Sequence, residues 1–161
     1  MRNRYFIFFL LAFISCRLIS QDITANALKT AYIYNFTKYI TWPNEDTLDQ
    51  FTIGVYGFDP GMLAELQRLK KSKEVKGLPL RVIELNDLSA LDQVQILYVA
   101  QNQNKALSRV AAKASKTNTL LVTDDNDAKQ LIMIDFVYPK KDRIEFEINK
   151  SNRLSSKISM I

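Results

Sequence analysis

Gln95-Ile-Leu-Tyr-Val-Ala100 and Thr119-Leu-Leu-Val-Thr123 are two short apolar runs rich in β-branched residues, the composition of strands buried on both faces. Between them, from Asn102 to Ser115, Leu107, Val110, Ala111 and Ala114 recur at three- and four-residue steps, which is the stripe of an amphipathic helix. A strand, a helix and a second strand in that order make a crossover unit, and crossover units build parallel sheets.

The pattern extends in both directions. Upstream, Phe51-Thr-Ile53-Gly-Val55 reads as a strand, Gly57-Phe-Asp59-Pro60 as a turn that opens a helix, and Met62, Leu66 and Leu69 as that helix's apolar face. The helix runs into Lys70-Lys71-Ser72-Lys73 ahead of Gly77, a solvated end where lysines offset the helix dipole, and Leu80 to Leu85 reads as the next strand. Before all of these, residues 25–40 contain neither Gly nor Pro. There Leu28, Ala31, Tyr32, Asn35, Phe36 and Tyr39 fall at helical spacing, and Trp42-Pro43 stops the helix. Downstream, Leu131 to Tyr138, a Pro139-Lys-Lys-Asp142 turn and Arg143-Ile-Glu-Phe-Glu-Ile148 predict a hairpin with one wet face. Together these predict a single three-layer α/β domain, Rossmann-like, with a mostly parallel central sheet and an antiparallel edge hairpin.

The first twenty residues stand apart from that domain. Met1-Arg-Asn-Arg4 is basic and Tyr5 to Ile14 is apolar throughout, which is the form of an export signal and too short to span a bilayer. Cleavage after Ser20 leaves residues 21–161 as the mature domain. Phe13-Ile14-Ser15-Cys16 loosely resembles a lipobox, so the other reading is a lipoprotein acylated at Cys16, although Phe13 suits that motif poorly. Cleavage takes three of the 22 basic side chains and lowers the formal charge from +5 to +2. The remaining lysines are interspersed with acids except at residues 70–73, so no basic face of the density that nucleic acid requires is expected. Cys16 is the single cysteine, so the mature chain has no disulfide and depends on its core.

The chain contains no histidine, which excludes Ser-His-Asp and Cys-His catalysis and most zinc sites. No catalytic residue, metal site or cofactor is assigned. Carboxylates remain. Asp59, Asp124, Asp125 and Asp127 lie at strand ends, where open α/β sheets place ligands, and would serve a small-ligand-binding module or a cation. The plainer reading makes Asp125 a helix cap and its neighbours solvated loop residues. Gly54 to Gly61 lacks the glycine pattern of a phosphate loop, and its glycines read as turn residues. The first helix is dense in aromatics: Tyr32, Phe36 and Tyr39 share a face expected to pack on the sheet, whereas Tyr34 and Lys38, with Trp42 beyond, are the candidates for contact with a partner.

Several segments in order resemble one family: Leu28-Lys-Thr-Ala31-Tyr32-Ile-Tyr-Asn35-Phe36-Thr-Lys38-Tyr-Ile40-Thr-Trp42-Pro43, then Phe51 to Gly57, Gly77-Leu-Pro79, Ile96 to Val99, Leu120 to Asp124, Met133 to Phe136 and Arg143 to Asn149. The chain resembles YfiR-like (DUF4154) proteins over nearly all of its mature length. It departs from them where they carry Gly-Gly and this sequence has Leu131-Ile132, and in a shorter stretch between Asn149 and Ser155-Ser156-Lys157-Ile158. It also lacks the cysteines that some relatives pair, so redox sensing through them does not carry over. The resemblance implies a periplasmic, non-catalytic regulator, homodimeric in relatives, that binds and represses a membrane-bound signalling protein, either a diguanylate cyclase or a sensor histidine kinase.

Overall fold

The computed structural model describes residues 24–140, 143–149 and 159–160. The export signal of residues 1–20, Cys16 and the turn at residues 141–142 lie outside the described residues, as does the stretch 150–158.

Helix α1 (Ala25–Tyr39) starts where the Thr24 hydroxyl accepts the Ala27 N–H at 3.1 Å. It passes into the two-residue strand β1 (Ile40–Thr41), paired antiparallel with β9 (Ser159–Met160). Strand β2 (Phe51–Tyr56) follows, then α2 (Pro60–Lys70), whose Asp59 cap accepts the Met62 N–H at 2.8 Å with proline at the first helical position. The short β3 (Glu74–Val75) and β4 (Leu78–Leu85) form a hairpin around Lys76 and Gly77, both at positive φ, the backbone of a tight two-residue turn. Then come β5 (Ile96–Val99), a 3₁₀ stretch at Gln101–Ala106, α3 (Leu107–Thr117), β6 (Leu120–Asp124), β7 (Ile134–Lys140) and β8 (Arg143–Ile148).

The main sheet has the order β3-β4-β2-β5-β6-β7-β8. From β4 to β7 all pairs are parallel, and β7–β8 is the antiparallel edge hairpin. The architecture read from the sequence is therefore the observed one. The chain steps from β2 outward to β4 and then back past β2 to β5, so the topological switch lies between β2 and β5.

Opposite faces of the sheet carry different helices. Tyr98 of β5 is reached by Lys29 of α1, and its register partner is Val55; Tyr56, one residue on, is reached by Arg109 of α3 at 3.4 Å. Successive strand residues point to opposite faces, so α1 and the contacting α2 cover one face and α3 the other. Ile33 and Phe36 of α1, Met62 and Leu66 of α2, Leu107 and Val110 of α3 and the central strand residues belong to one buried core.

Three local expectations differ from the structure. The buried side of α1 consists of Lys29, Thr30, Ile33, Phe36 and Thr37, while Tyr39 is 60% exposed instead of packing on the sheet. That face is rotated from the aromatic stripe because Lys29, which an apolar pattern places in water, finds an ionic partner inside. The helix expected over Asn102–Ser115 begins with the 3₁₀ stretch and becomes α-helical at Leu107. Asp125 caps no helix: its φ is +51°, and its N–H donates to the Phe136 carbonyl at 2.8 Å, continuing the sheet.

Candidate functional site

The strand ends beside the switch point are occupied by a buried polar cluster. Lys29 sits inside because its helix turn lies over the carboxyl end of β6. Its ammonium is 2.8 Å from Asp124 Oδ2 and 3.4 Å from the Tyr98 hydroxyl, and the lysine is 4% exposed. The Tyr98 oxygen lies 3.1 Å from both Asp59 Oδ2 and Asp124 Oδ2, so its single proton is shared between two acceptors. Tyr138 of β7 donates to the other oxygen, Asp124 Oδ1, at 2.6 Å. Burial, then the charges of Asp124 and Asp59, push the Tyr98 phenol far above its ordinary pKa. Burial and the bond to Asp124 do the same to Tyr138. Both phenols are therefore donors, and Asp124 accepts from an ammonium and two hydroxyls.

This arrangement is a lock between elements. Asp59 uses one oxygen to cap α2 and offers the other to Tyr98, so the pair ties α2, β5, β6, β7 and α1 into one network. Of the four aspartates read from the sequence, the structure brings Asp59 and Asp124 together through Tyr98. Asp125 is exposed at the rim, and Asp127 lies on the exposed loop, where its carbonyl accepts the Lys129 N–H at 2.9 Å. Among the described residues no group of three acidic, thiol or imidazole side chains is placed to hold a metal ion. Sequence reasoning missed Lys29, Tyr98 and Tyr138, since their partners are distant in the chain and nothing in local spacing marks them.

A second cluster lies on the opposite face. Asp135, 2% exposed, accepts from Thr123 Oγ1 at 2.5 Å, from Lys129 Nζ at 2.5 Å and from the Asn126 N–H at 3.2 Å. Burial draws the Lys129 ammonium's pKa down, but its bonds to Asp135 and Glu147 outweigh that and hold it above the ordinary value. Beside it a cleft of ≈ 550 Å³ is lined by Lys129, Ile132, Met133, Asp135, Glu147 and Ile148.

The partner candidates fall on and under the far end of α1. Lys38 is exposed, with its ammonium 5.2 Å from the centre of the Tyr34 ring, so the two form one patch. The Tyr34 hydroxyl donates to the Glu74 carbonyl at 3.2 Å, tying α1 to β3. Trp42 does not join them at the surface: it is 4% exposed, packs edge-on against Phe51 with ring centres 5.0 Å apart, and donates its indole N–H to the Gln95 carbonyl at 3.0 Å. Lys76 lies over the indole ring at 5.7 Å and donates to the Ile40 carbonyl at 2.7 Å.

Residues 26–160 match the family model DUF4154, described as YfiR/HmsC-like. That is a family of periplasmic regulators. The comparison with curated proteins finds no match. Among the described residues no helix is long and apolar enough to cross a membrane.

Proposed function

We propose, because the chain belongs to the YfiR/HmsC-like family, that it is an exported, non-catalytic regulator that binds and represses the periplasmic part of a membrane signalling protein, a diguanylate cyclase or a sensor histidine kinase. The family match over residues 26–160 carries this reading. Two features of the chain support it. Histidine is absent, and the two buried or half-buried strand-end carboxylates are engaged, Asp124 by three donors and Asp59 by a helix cap and a phenol. A repressor of this kind needs no chemistry of its own: it binds the inactive receptor more tightly than the active one and shifts the population by that ratio.

Residues 1–20 serve as the export signal in this reading, and Tyr34 with Lys38 forms part of the contact with the receptor. Trp42 contributes from beneath, by holding the segment that follows α1. Crosslinking of the tagged protein in its own cells, with mass spectrometry of what is captured, tests the proposal. Recovery of a cyclase or histidine kinase whose output rises when this protein is deleted is the expected result. Capture of no membrane protein, together with unchanged cyclic-di-GMP and receptor phosphorylation, overturns it.

The cleft of ≈ 550 Å³ beside Lys129 favours a second reading, a periplasmic small-ligand-binding module. Its ligand would raise the melting temperature by mass action. A screen of metals, nucleotides and cell-wall fragments that leaves melting unchanged removes it, both for this cleft and for the rim formed by Asp59, Asp124, Asp125 and Asp127.

A further inference from the structure

We propose that the partner is taken as an acidic, extended segment laid along the outer edge of β4 and across the lysines at the end of α2; this rests on the regulator reading and specifies its docking surface. One side of β4 pairs with β2 from Leu80 to Leu85. The other side is covered by β3 only at Leu78 and Pro79, and among the described residues no strand pairs beyond. The Val82 carbonyl accepts Gln67 Nε2 at 3.4 Å from outside the sheet, so Val82's peptide groups face outward, and strand alternation turns those of Leu80 and Glu84 the same way. The outward groups of Leu80 and Glu84, with those of Val82 once the Gln67 amide moves aside, make a template for an added strand.

The edge begins at a cleft of ≈ 750 Å³ lined by Tyr34, Lys70, Lys71, Lys73, Glu74 and Leu80. Arg68 and Lys76 nearby have carboxylate partners, Glu65 and Glu45. Lys70, Lys71 and Lys73 are exposed, and among the described residues none of them is in an ion pair. Lys38, over the Tyr34 ring, adds a fourth cation to the rim, against the single carboxylate of Glu74. Clustered unpaired cations repel one another and are relieved by an acidic partner. A lipid surface would also meet the lysines, but it would leave the β4 edge unused, so the two features together point to a peptide.

The test is fluorescence anisotropy of a labelled peptide alternating glutamate and valine, titrated with protein purified from exporting cells, alongside phosphatidylglycerol vesicles. Saturable peptide binding that weakens with salt is expected. The triple variant K70E/K71E/K73E changes only exposed side chains, and because it puts anions at the C-terminal end of α2 its melting is recorded beside its binding, with K70Q/K71Q/K73Q as the milder variant; with the fold intact it should raise Kd by about tenfold or more, the combined effect of three reversed rim charges. Glu84→Pro removes one outward N–H from an edge where proline is tolerated and should weaken peptide binding several-fold while leaving vesicle binding unchanged.

Three results overturn the proposal: no peptide binding, peptide binding indifferent to the triple variant, or vesicle binding that the triple variant abolishes while the peptide does not bind. In cells, equal capture of the receptor by wild type and triple variant removes this docking surface and leaves the regulator reading standing. Failure of the wild type to capture a receptor removes the regulator reading itself.

Discussion

Lys29 is a cation held out of water, and Asp124 is the charge that compensates it. Breaking one half of a buried, hydrogen-bonded ion pair leaves the other charge without compensation, which costs about 3–5 kcal/mol. Asp124→Ala should therefore lower the unfolding free energy obtained from urea titration by that amount, whereas the double change Lys29→Met with Asp124→Leu, which removes both charges, should recover much of the loss. If the single and double variants prove equally unstable, the pair is not the source of the stability. The phenols add a pH dependence. Tyr98 and Tyr138 have folded pKa values raised above the ordinary value of 10.0. Their stabilisation is complete below that pH and is lost as pH rises past it, because the unfolded chain ionises first. Denaturation midpoints should fall above about pH 10, more steeply than in Tyr98→Phe. Asp59 and Asp124 were legible as strand-end acids, but their neighbours were not, since a lysine at a helical position and a tyrosine within a strand run carry no local mark of a shared hydrogen bond.

At the level of elements, the link from α1 to β2 is secured from three directions. Trp42 fills the space over Phe51 and reaches Gln95, whose side-chain oxygen accepts the Thr52 N–H at 2.7 Å, and Lys76 closes over the indole. Trp42→Ala removes a buried ring and a hydrogen bond and should cost about 3–5 kcal/mol, measured by chemical denaturation. The two turn glycines separate backbone strain from crowding. Gly77 has φ +80° and open space around it, so Gly77→Ala pays for conformation alone, about 1–2 kcal/mol. At Gly57, φ +97°, a methyl group would also meet Asn102 Oδ1 and Gln103 Cγ at 2.5 Å, so Gly57→Ala should be the more destabilising of the two. Equal losses at both sites would mean that the 3₁₀ stretch yields freely. The strand, turn and helix around Gly57 to Pro60 were legible because Asp-Pro is a helix opening with a mechanism. The β3–β4 hairpin escaped notice because its first strand is two residues long, too short for any periodicity.

For the whole molecule, the sheet ends in two unlike edges. On one side β4 runs past the two-residue β3, with no further strand beside it among the described residues, and adjoins the lysines of α2. At β8, Phe146 and Ile148 remain 37% and 44% exposed although Phe146 packs on Tyr32 and Phe36. If the protein is a homodimer, as its resemblance implies, β8 is the edge whose apolar side chains a second copy would cover. Sedimentation of wild type as a dimer, and of Ile148→Glu as a monomer with unchanged melting at low concentration, is the expected result; a wild-type monomer at micromolar concentration dismisses the dimer. Export is also read at this scale. The intact mass of the protein recovered from exporting cells should correspond to a chain starting at Gln21, and a mass increased by acyl chains on Cys16 would replace cleavage after Ser20 with a lipid-tethered form.

The alternation of apolar runs with helical stripes determined the α/β class, the parallel core and the edge hairpin, because burial on both faces of a strand and on one face of a helix leaves a periodic record in the chain itself. The absence of histidine determined which catalytic classes were closed, and the ordered motifs from Leu28 to Asn149 identified the family. Only the tertiary structure decided that Lys29 is buried and Tyr39 exposed, that Trp42 belongs to the core, and that Asp124 is the hub of a lock. Each of those outcomes is set by a partner far along the chain, 95 residues in the case of Lys29 and Asp124 and 53 for Trp42 and Gln95. Contacts of that range arise from the order in which strands are laid into the sheet, and no local spacing encodes them.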